Sequence, residues 1–149
     1  MNVLLVHLNP PGLTFQLGLA QIASVLEAGK HNVSFIFLSH LNKREILDEI
    51  SKSKPKVILI SVASNSFELC KCLVSFLREE IKIPILLGGI HPTISPEECI
   101  ELEGIRGICV GEGEYPVYEF VEAIKEGGDC GGIESLWIKN NGNIYRNEV

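Results

Sequence analysis

Val57-Ile58-Leu59-Ile60-Ser61-Val62 is the stretch that decides the fold. It is apolar without alternation, and such a run suits a strand covered on both faces, at the centre of a parallel sheet. Working outward, the same texture recurs at Val3 to Leu8, Val33 to Leu38, Pro84 to Leu87 and Gly107 to Val110. Segments of helical period lie between these runs. Phe15 to Ala28 carries Leu19, Ile22, Ala23 and Leu26 on one face and stops at Gly29. Lys43 to Ser53 carries Ile46, Leu47 and Ile50, and Phe67 to Ile81 carries Phe67, Cys70, Val74, Leu77 and Ile81. A short helix is expected from Pro96 to Leu102. Another begins near Pro116 and runs to Lys125, with Val117, Phe120, Val121 and Ile124 inward. Near the end, Glu134 to Lys139 and Asn143 to Arg146 flank Asn140-Asn141-Gly142, the signature of an antiparallel hairpin. Five strands alternating with helices predict an α/β fold, a doubly wound, flavodoxin-like (Rossmann-like) parallel sheet of order 2-1-3-4-5, with the hairpin added at its end.

The composition agrees. The 149 residues are 46% hydrophobic and 21% charged, enough apolar matter for one core and one domain. Aromatics are 7%, so that core is aliphatic. A formal charge of -6 argues against nucleic acid or an anionic membrane as partner. No apolar run approaches the ~18–20 residues that span a bilayer. Met1 to Gly12 is too short, and lacks the basic start, for a signal peptide. Five cysteines, an odd number, then read as reduced thiols and point to the cytoplasm.

In such a sheet, ligands sit beyond the carboxyl ends of the strands, near the switch point between strands one and three. Four loops are therefore decisive: Asn9–Gly12, Ser61–Ser66, Gly88–Thr93 and Gly111–Glu114. A phosphate-accepting receiver needs a carboxylate after strand three, where this chain has Ser61-Val62-Ala63-Ser64. A dinucleotide site needs a Gly-x-Gly-x-x-Gly turn after strand one, where this chain has Asn9-Pro10-Pro11-Gly12. Gly111-Glu112-Gly113 is half of that fingerprint, in the wrong place and beside two acids. Cys70 and Cys72 point about 200° apart on a helix and do not share a metal, so both read as small buried hydrophobes. Cys109 reads as core and Cys130, among glycines, as exposed. His31 and His40 read as surface residues and His7 as a satisfied core histidine. No residue is assigned a catalytic or metal-binding role. The loops are notable for neutrality. Glycines admit a backbone close to a ligand, and hydroxyls and N–H groups can bind amides, a pattern suited to a large neutral ligand.

The ordered set Leu86-Leu87-Gly88-Gly89-Ile90-His91-Pro92-Thr93, Pro96-Glu97-Glu98 and Val110-Gly111-Glu112-Gly113-Glu114 resembles the cobalamin-binding domain of cobalamin-dependent radical S-adenosylmethionine enzymes. Asn9-Pro10-Pro11-Gly12, Gly18-Leu19-Ala20 and the closing hairpin extend the likeness almost end to end. Cobalamin mutases and methionine synthase are also similar: their Ser-x-Leu and Gly-Gly elements correspond to Ser61-Val62-Ala63 and Gly88-Gly89, with Ala63 for Leu. Their Asp-x-His-x-x-Gly element is missing, and the strand-one loop has no histidine. The resemblance implies cobalamin bound base-off, with no protein imidazole from that loop on cobalt. It implies cofactor contacts from Asn9, Pro10, Pro11, Ser61, Ser64, Gly88, Gly89, His91, Glu112 and Gly113. Pro10 and Pro11 would floor the cobalt face, Ser61 and Ser64 would donate hydrogen bonds, and His91 and Glu112 would meet corrin amides. The family's Cys-x-x-x-Cys-x-x-Cys motif is absent, so the resemblance implies that the 4Fe-4S cluster and S-adenosylmethionine belong to a radical S-adenosylmethionine barrel joined in cis in a longer parent. Residues 1–149 are then expected to be its N-terminal binding module, non-catalytic alone, in a parent that is a methyltransferase. The alternative is a structural or substrate-recognition module of the same enzyme type that binds no cobalamin.

Overall fold

The computed structural model describes residues 1–8 and 17–149. Asn9, Pro10, Pro11, Gly12 and the expected helix start at Phe15 lie outside the described residues. The chain runs β1 (Asn2–Leu8), α1 (Leu17–Ala28), β2 (Asn32–Leu38), α2 (Lys43–Ser53), β3 (Val57–Ser61), a 3-10 turn (Ser64–Ser66) and α3 (Phe67–Glu80). It continues β4 (Ile85–Gly88), α4 (Ile90–Ile94), α5 (Pro96–Ile100), β5 (Gly107–Cys109), α6 (Glu114–Glu126), β6 (Leu136–Asn140) and β7 (Asn143–Arg146). The sheet order is β2-β1-β3-β4-β5-β6-β7. The first five strands are parallel in the expected order, with β3 inside the sheet, and the hairpin adds two antiparallel strands. Asn141 and Gly142 both take positive φ, 50° and 81°, as a tight hairpin turn requires.

Alternate side chains of each strand feed two cores. Leu4, Val6, Ile58, Ile60, Ile85 and Leu87 face α2, α3 and α5. Val3, Leu5, Val57, Leu59 and Leu86 face α1 and α6. The helices are amphipathic and cover the sheet on both sides, which is why the central strands show no alternation. α2 is capped as its sequence dictates: the Asn42 side chain accepts from Glu45 N–H at 3.2 Å. Sequence and structure differ at the end of α1. Lys30, not Gly29, takes the left-handed conformation, φ 62°. Gly29 is there for room, since a Cβ would stand 2.3 Å from Tyr118 Cε2.

Three expectations are corrected. His31 is buried, not at the surface: its Nε2 lies 2.8 Å from Glu122 Oε1 and its Nδ1 3.2 Å from the Met1 amine. The chain reverses after α1 directly beneath α6, and that crossing covers the ring. Cys130 is also buried, 1% exposed, because the glycine-rich connection folds under the hairpin and packs on Phe120, Leu136 and Ile138. Cys72 is exposed rather than buried, while Cys70 and Cys109 are core and His40 is at the surface. His7 is buried as expected, against Phe37 at 5.9 Å, yet among the described residues neither ring nitrogen has a hydrogen-bond partner.

Two measurements follow from these positions. Burial lifts the Cys70 thiol pKa to about 12 and that of Cys99 to about 11, and also raises Cys130. Ellman's reagent is expected to find one fast thiol in the native chain, Cys72, and all five after unfolding. A second fast thiol that disappears in Cys130→Ser would contradict the burial. Burial also pushes the His7 and His31 pKa values down from 6.5, with the Met1 amine adding to the effect on His31 while Glu122 opposes it. The unfolded chain then binds more protons just below pH 6.5 than the folded one does, so stability is lost as the pH falls through that range. The thermal midpoint is expected to be lower at about pH 5.5 than at about pH 7.5, with a shallower slope in His31→Gln. A flat profile would count against neutral buried rings.

Candidate functional site

The parallel register explains where a cavity can form. Leu5, Leu59 and Leu86 stand side by side facing α1 and α6, in register with Gly107. One layer nearer the carboxyl ends, on the same face, stand Ser61 and Gly88, joined by Cys109 at the end of β5. Large side chains fill the lower layer, and small ones leave the upper layer open. The result is a slot of about 330 Å³ with a leucine floor. Leu19 and Ile22 of α1 and Val117 of α6 wall it. Ser61, Gly88, Gly89, Glu112 and Gly113 all line it, so five of the expected residues converge on one place. Leu17, Ile90, Ile94 and Tyr115 stand exposed at the ends of α1, α4 and α6 on this side of the sheet.

The loops around the slot are tied by hydrogen bonds. Val62 N–H donates to Gly88 O at 2.8 Å, and His91 N–H donates to Val62 O at 3.1 Å. Gly89 between them has φ 99°, and a Cβ there would lie 2.9 Å from Val62 O. The Thr93 hydroxyl donates to Gly89 O at 2.9 Å and accepts from Gly111 N–H at 3.0 Å, which joins the β4 and β5 loops. Ser66 closes the β3 loop, its hydroxyl donating to Ala63 O and accepting from Ala63 N–H. Ser64 is exposed and pairs with His91, which is buried on the far side of these loops from the slot floor.

Charge is kept to the rim. Glu112 is exposed and Glu114 half-buried. Burial, with the carboxylates of Glu114 and Glu112, lifts the Cys109 thiol pKa to about 12, so it is an uncharged wall. Among the described residues no group of three or more His, Cys, Asp and Glu could hold a metal ion. The site can therefore hold a flat apolar group against the leucine floor and hydrogen-bond a neutral periphery. Sequence reasoning missed the floor and wall residues, which read as ordinary core, and also Thr93 and Glu98. Both of the latter lay inside the quoted segments, where a hydroxyl and an acid shortly after the Gly88-Gly89 pair were the available signal.

The model of the B12 binding domain matches residues 3–121. The chain belongs to that family. A Pyrococcus horikoshii protein described as an uncharacterised methyltransferase is 29% identical over 136 residues, 89% of this chain and 29% of its own length. The radical S-adenosylmethionine methyltransferase TsrM from Kitasatospora setae, solved with cobalamin and a 4Fe-4S cluster bound, superposes with a TM-score of 0.83 at 21% identity. That match covers 99% of this chain and 29% of TsrM. OxsB, solved with aqua-cobalamin and S-adenosylmethionine, gives 0.78 at 22% identity, over 98% of this chain and 22% of OxsB. The B12-binding chain thus spans under a third of each of these relatives.

The two glycines at the end of β4 are not equivalent. A Cβ on Gly88 would meet only Cys109 Cβ, at 3.8 Å, an ordinary contact. Gly89→Ala is expected to lower stability by about 1–3 kcal/mol, through positive φ and the clash with Val62, whereas Gly88→Ala leaves it unchanged or slightly higher. Urea unfolding of both variants checks this. Equal losses would mean that the turn is not held as described.

Proposed function

We propose that this chain binds cobalamin, as the cofactor module of a radical S-adenosylmethionine methyltransferase whose barrel lies in the same longer polypeptide. The observation that carries the reading is the slot itself. Its aliphatic floor and walls suit the flat base of the nucleotide tail, and the missing side chains at Gly88 and Gly113 let the tail approach the backbone. Cobalamin supplies a cobalt atom able to carry a methyl group. The chain's part is to bind and orient it. Leu5, Leu59 and Leu86 exclude water below the tail, and Ser61 stands at the slot's polar edge. The exposed Ile90, Ile94 and Tyr115 offer apolar support under the corrin.

Pro10 and Pro11 are assigned to the floor under the cobalt face, and Asn9 to the cofactor contacts, on the strength of the sequence resemblance. That loop carries no imidazole, and His7 sits in the Ser61 layer without lining the slot. We therefore assign the base-off form, with no protein histidine on the metal. Free, mostly buried thiols support a cytoplasmic protein, and no helix among the described residues is long and apolar enough to cross a membrane.

Titration with hydroxocobalamin, followed by absorption and gel filtration, is expected to show saturable binding. Gly88→Val, which fills the slot without straining the turn, is expected to weaken it on the order of 10-fold or more with an unchanged circular dichroism spectrum. No binding by the wild type would hand the role to a structural or substrate-recognition module. Electron paramagnetic resonance of the cobalt(II) form is expected to lack nitrogen superhyperfine splitting. Splitting that vanishes in His7→Ala would put a protein histidine on cobalt, and splitting that persists in His7→Ala would come from the cofactor's own base and overturn the base-off assignment.

A further inference from the structure

Beside the slot stands a constellation that cobalamin binding as proposed does not explain. Ser64 opens the 3-10 turn after β3, His91 is the second residue of α4, and Glu98 lies on α5. The three come from separate elements and meet around one ring. The His91 side chain is 9% exposed and packs on Phe67 with centroids 4.2 Å apart. Its backbone is pinned by the bond to Val62 O. Its Nδ1 lies 3.1 Å from Ser64 Oγ, and its Nε2 lies 3.5 Å from Glu98 Oε2, within electrostatic reach but outside hydrogen-bond geometry.

A neutral imidazole has one N–H and one lone pair, and its neighbours decide which nitrogen carries which. A carboxylate attracts an N–H and repels a lone pair. Glu98 therefore places the proton on Nε2 and leaves Nδ1 bare. A bare Nδ1 can only accept, so the Ser64 hydroxyl donates its single hydrogen to it. What the exposed Ser64 hydroxyl offers to anything else is then oxygen lone pairs alone.

We propose that His91 is a positioning residue, oriented by Glu98 and Phe67, that fixes Ser64 as a hydrogen-bond acceptor and so selects an N–H donor at that point of the ligand. This rests on the cobalamin reading. The corrin periphery carries carboxamides, which donate; the phosphate of the nucleotide tail cannot, and Ser64 does not line the slot assigned to that tail. Ser64 thus meets a corrin carboxamide, and it accepts from that group rather than donating to it.

The tautomer can be read without any ligand. Long-range proton–nitrogen correlation spectra of the apo protein, with the His91 signals identified by their loss in His91→Asn, are expected to show a protonated Nε2 and a bare Nδ1. A protonated Nδ1 overturns the proposal. Hydroxocobalamin titrations then test the consequence. Ser64→Ala and His91→Leu are each expected to weaken binding about 5-fold or more, and the double variant no further, because both remove one element. His91→Asn, whose amide oxygen reaches the Nδ1 position, is expected to recover most of the loss, and His91→Gln is not. Among cobalamins with a single side-chain amide hydrolysed to the acid, one is expected to bind the wild type about 10-fold more weakly, with that discrimination lost in Ser64→Ala. Additive losses, or equal behaviour of the Asn and Gln variants, reduce His91 to packing and overturn the proposal while the cobalamin reading stands. Failure of the wild type to bind overturns both.

Discussion

Val62 N–H donates to Gly88 O, and His91 N–H donates back to Val62 O. These two bonds carry the pairing of β3 and β4 one step beyond the sheet, and the loops at the carboxyl end of the sheet depend on them. They bring Gly89 so close to Val62 that no Cβ fits, which fixes the residue and its positive φ together. They set the His91 ring against Phe67 and within reach of Ser64. Thr93, one turn later, passes the constraint to Gly111 and the β5 loop. Three loops that are separate in sequence behave as one rigid edge.

The slot behind that edge is built by subtraction. The register places Leu5, Leu59 and Leu86 in one row and Ser61 and Gly88 in the next, so cavity and core are made by the same pleat. The walls come from α1 and α6, whose contact is reinforced at the opposite end by His31 beside Glu122. Covering the ring leaves His31 easier to keep neutral than charged. The chemistry of the slot is neutral for the same reason. Cys109 faces it as an un-ionised thiol, and the acids Glu112 and Glu114 stay at the rim. A large uncharged ligand is compatible with these surroundings, and a free dianion is not.

The hairpin extends the sheet rather than the site. β6 pairs antiparallel with β5, and Gly107 is required there because a Cβ would fall 2.3 Å from Trp137 O. Arg146 joins the hairpin to α5 through Glu97 at 3.0 Å and lies over the Trp137 ring. This added layer explains the burial of Cys130, whose local sequence of small residues gave no apolar pattern to read.

The sequence by itself determined the sheet, its order and the strand-end loops between which the slot opens. Unbroken apolar runs can be stable only between two layers of helices, and glycines at strand ends mark where a backbone must come close. It also singled out Ser61, Gly88, Gly89, Glu112 and Gly113, which the structure gathers around one slot. Only the tertiary structure decided the rest. His31 and Cys130 looked exposed because burial in a connection depends on which distant element crosses over it, and no local period records that crossing. The leucine floor looked like ordinary core because a slot appears only when the strands are in register. The partnership of Ser64, His91 and Glu98 joins residues up to 34 positions apart in the chain, and hydrogen-bond polarity is a property of that meeting, not of any one residue.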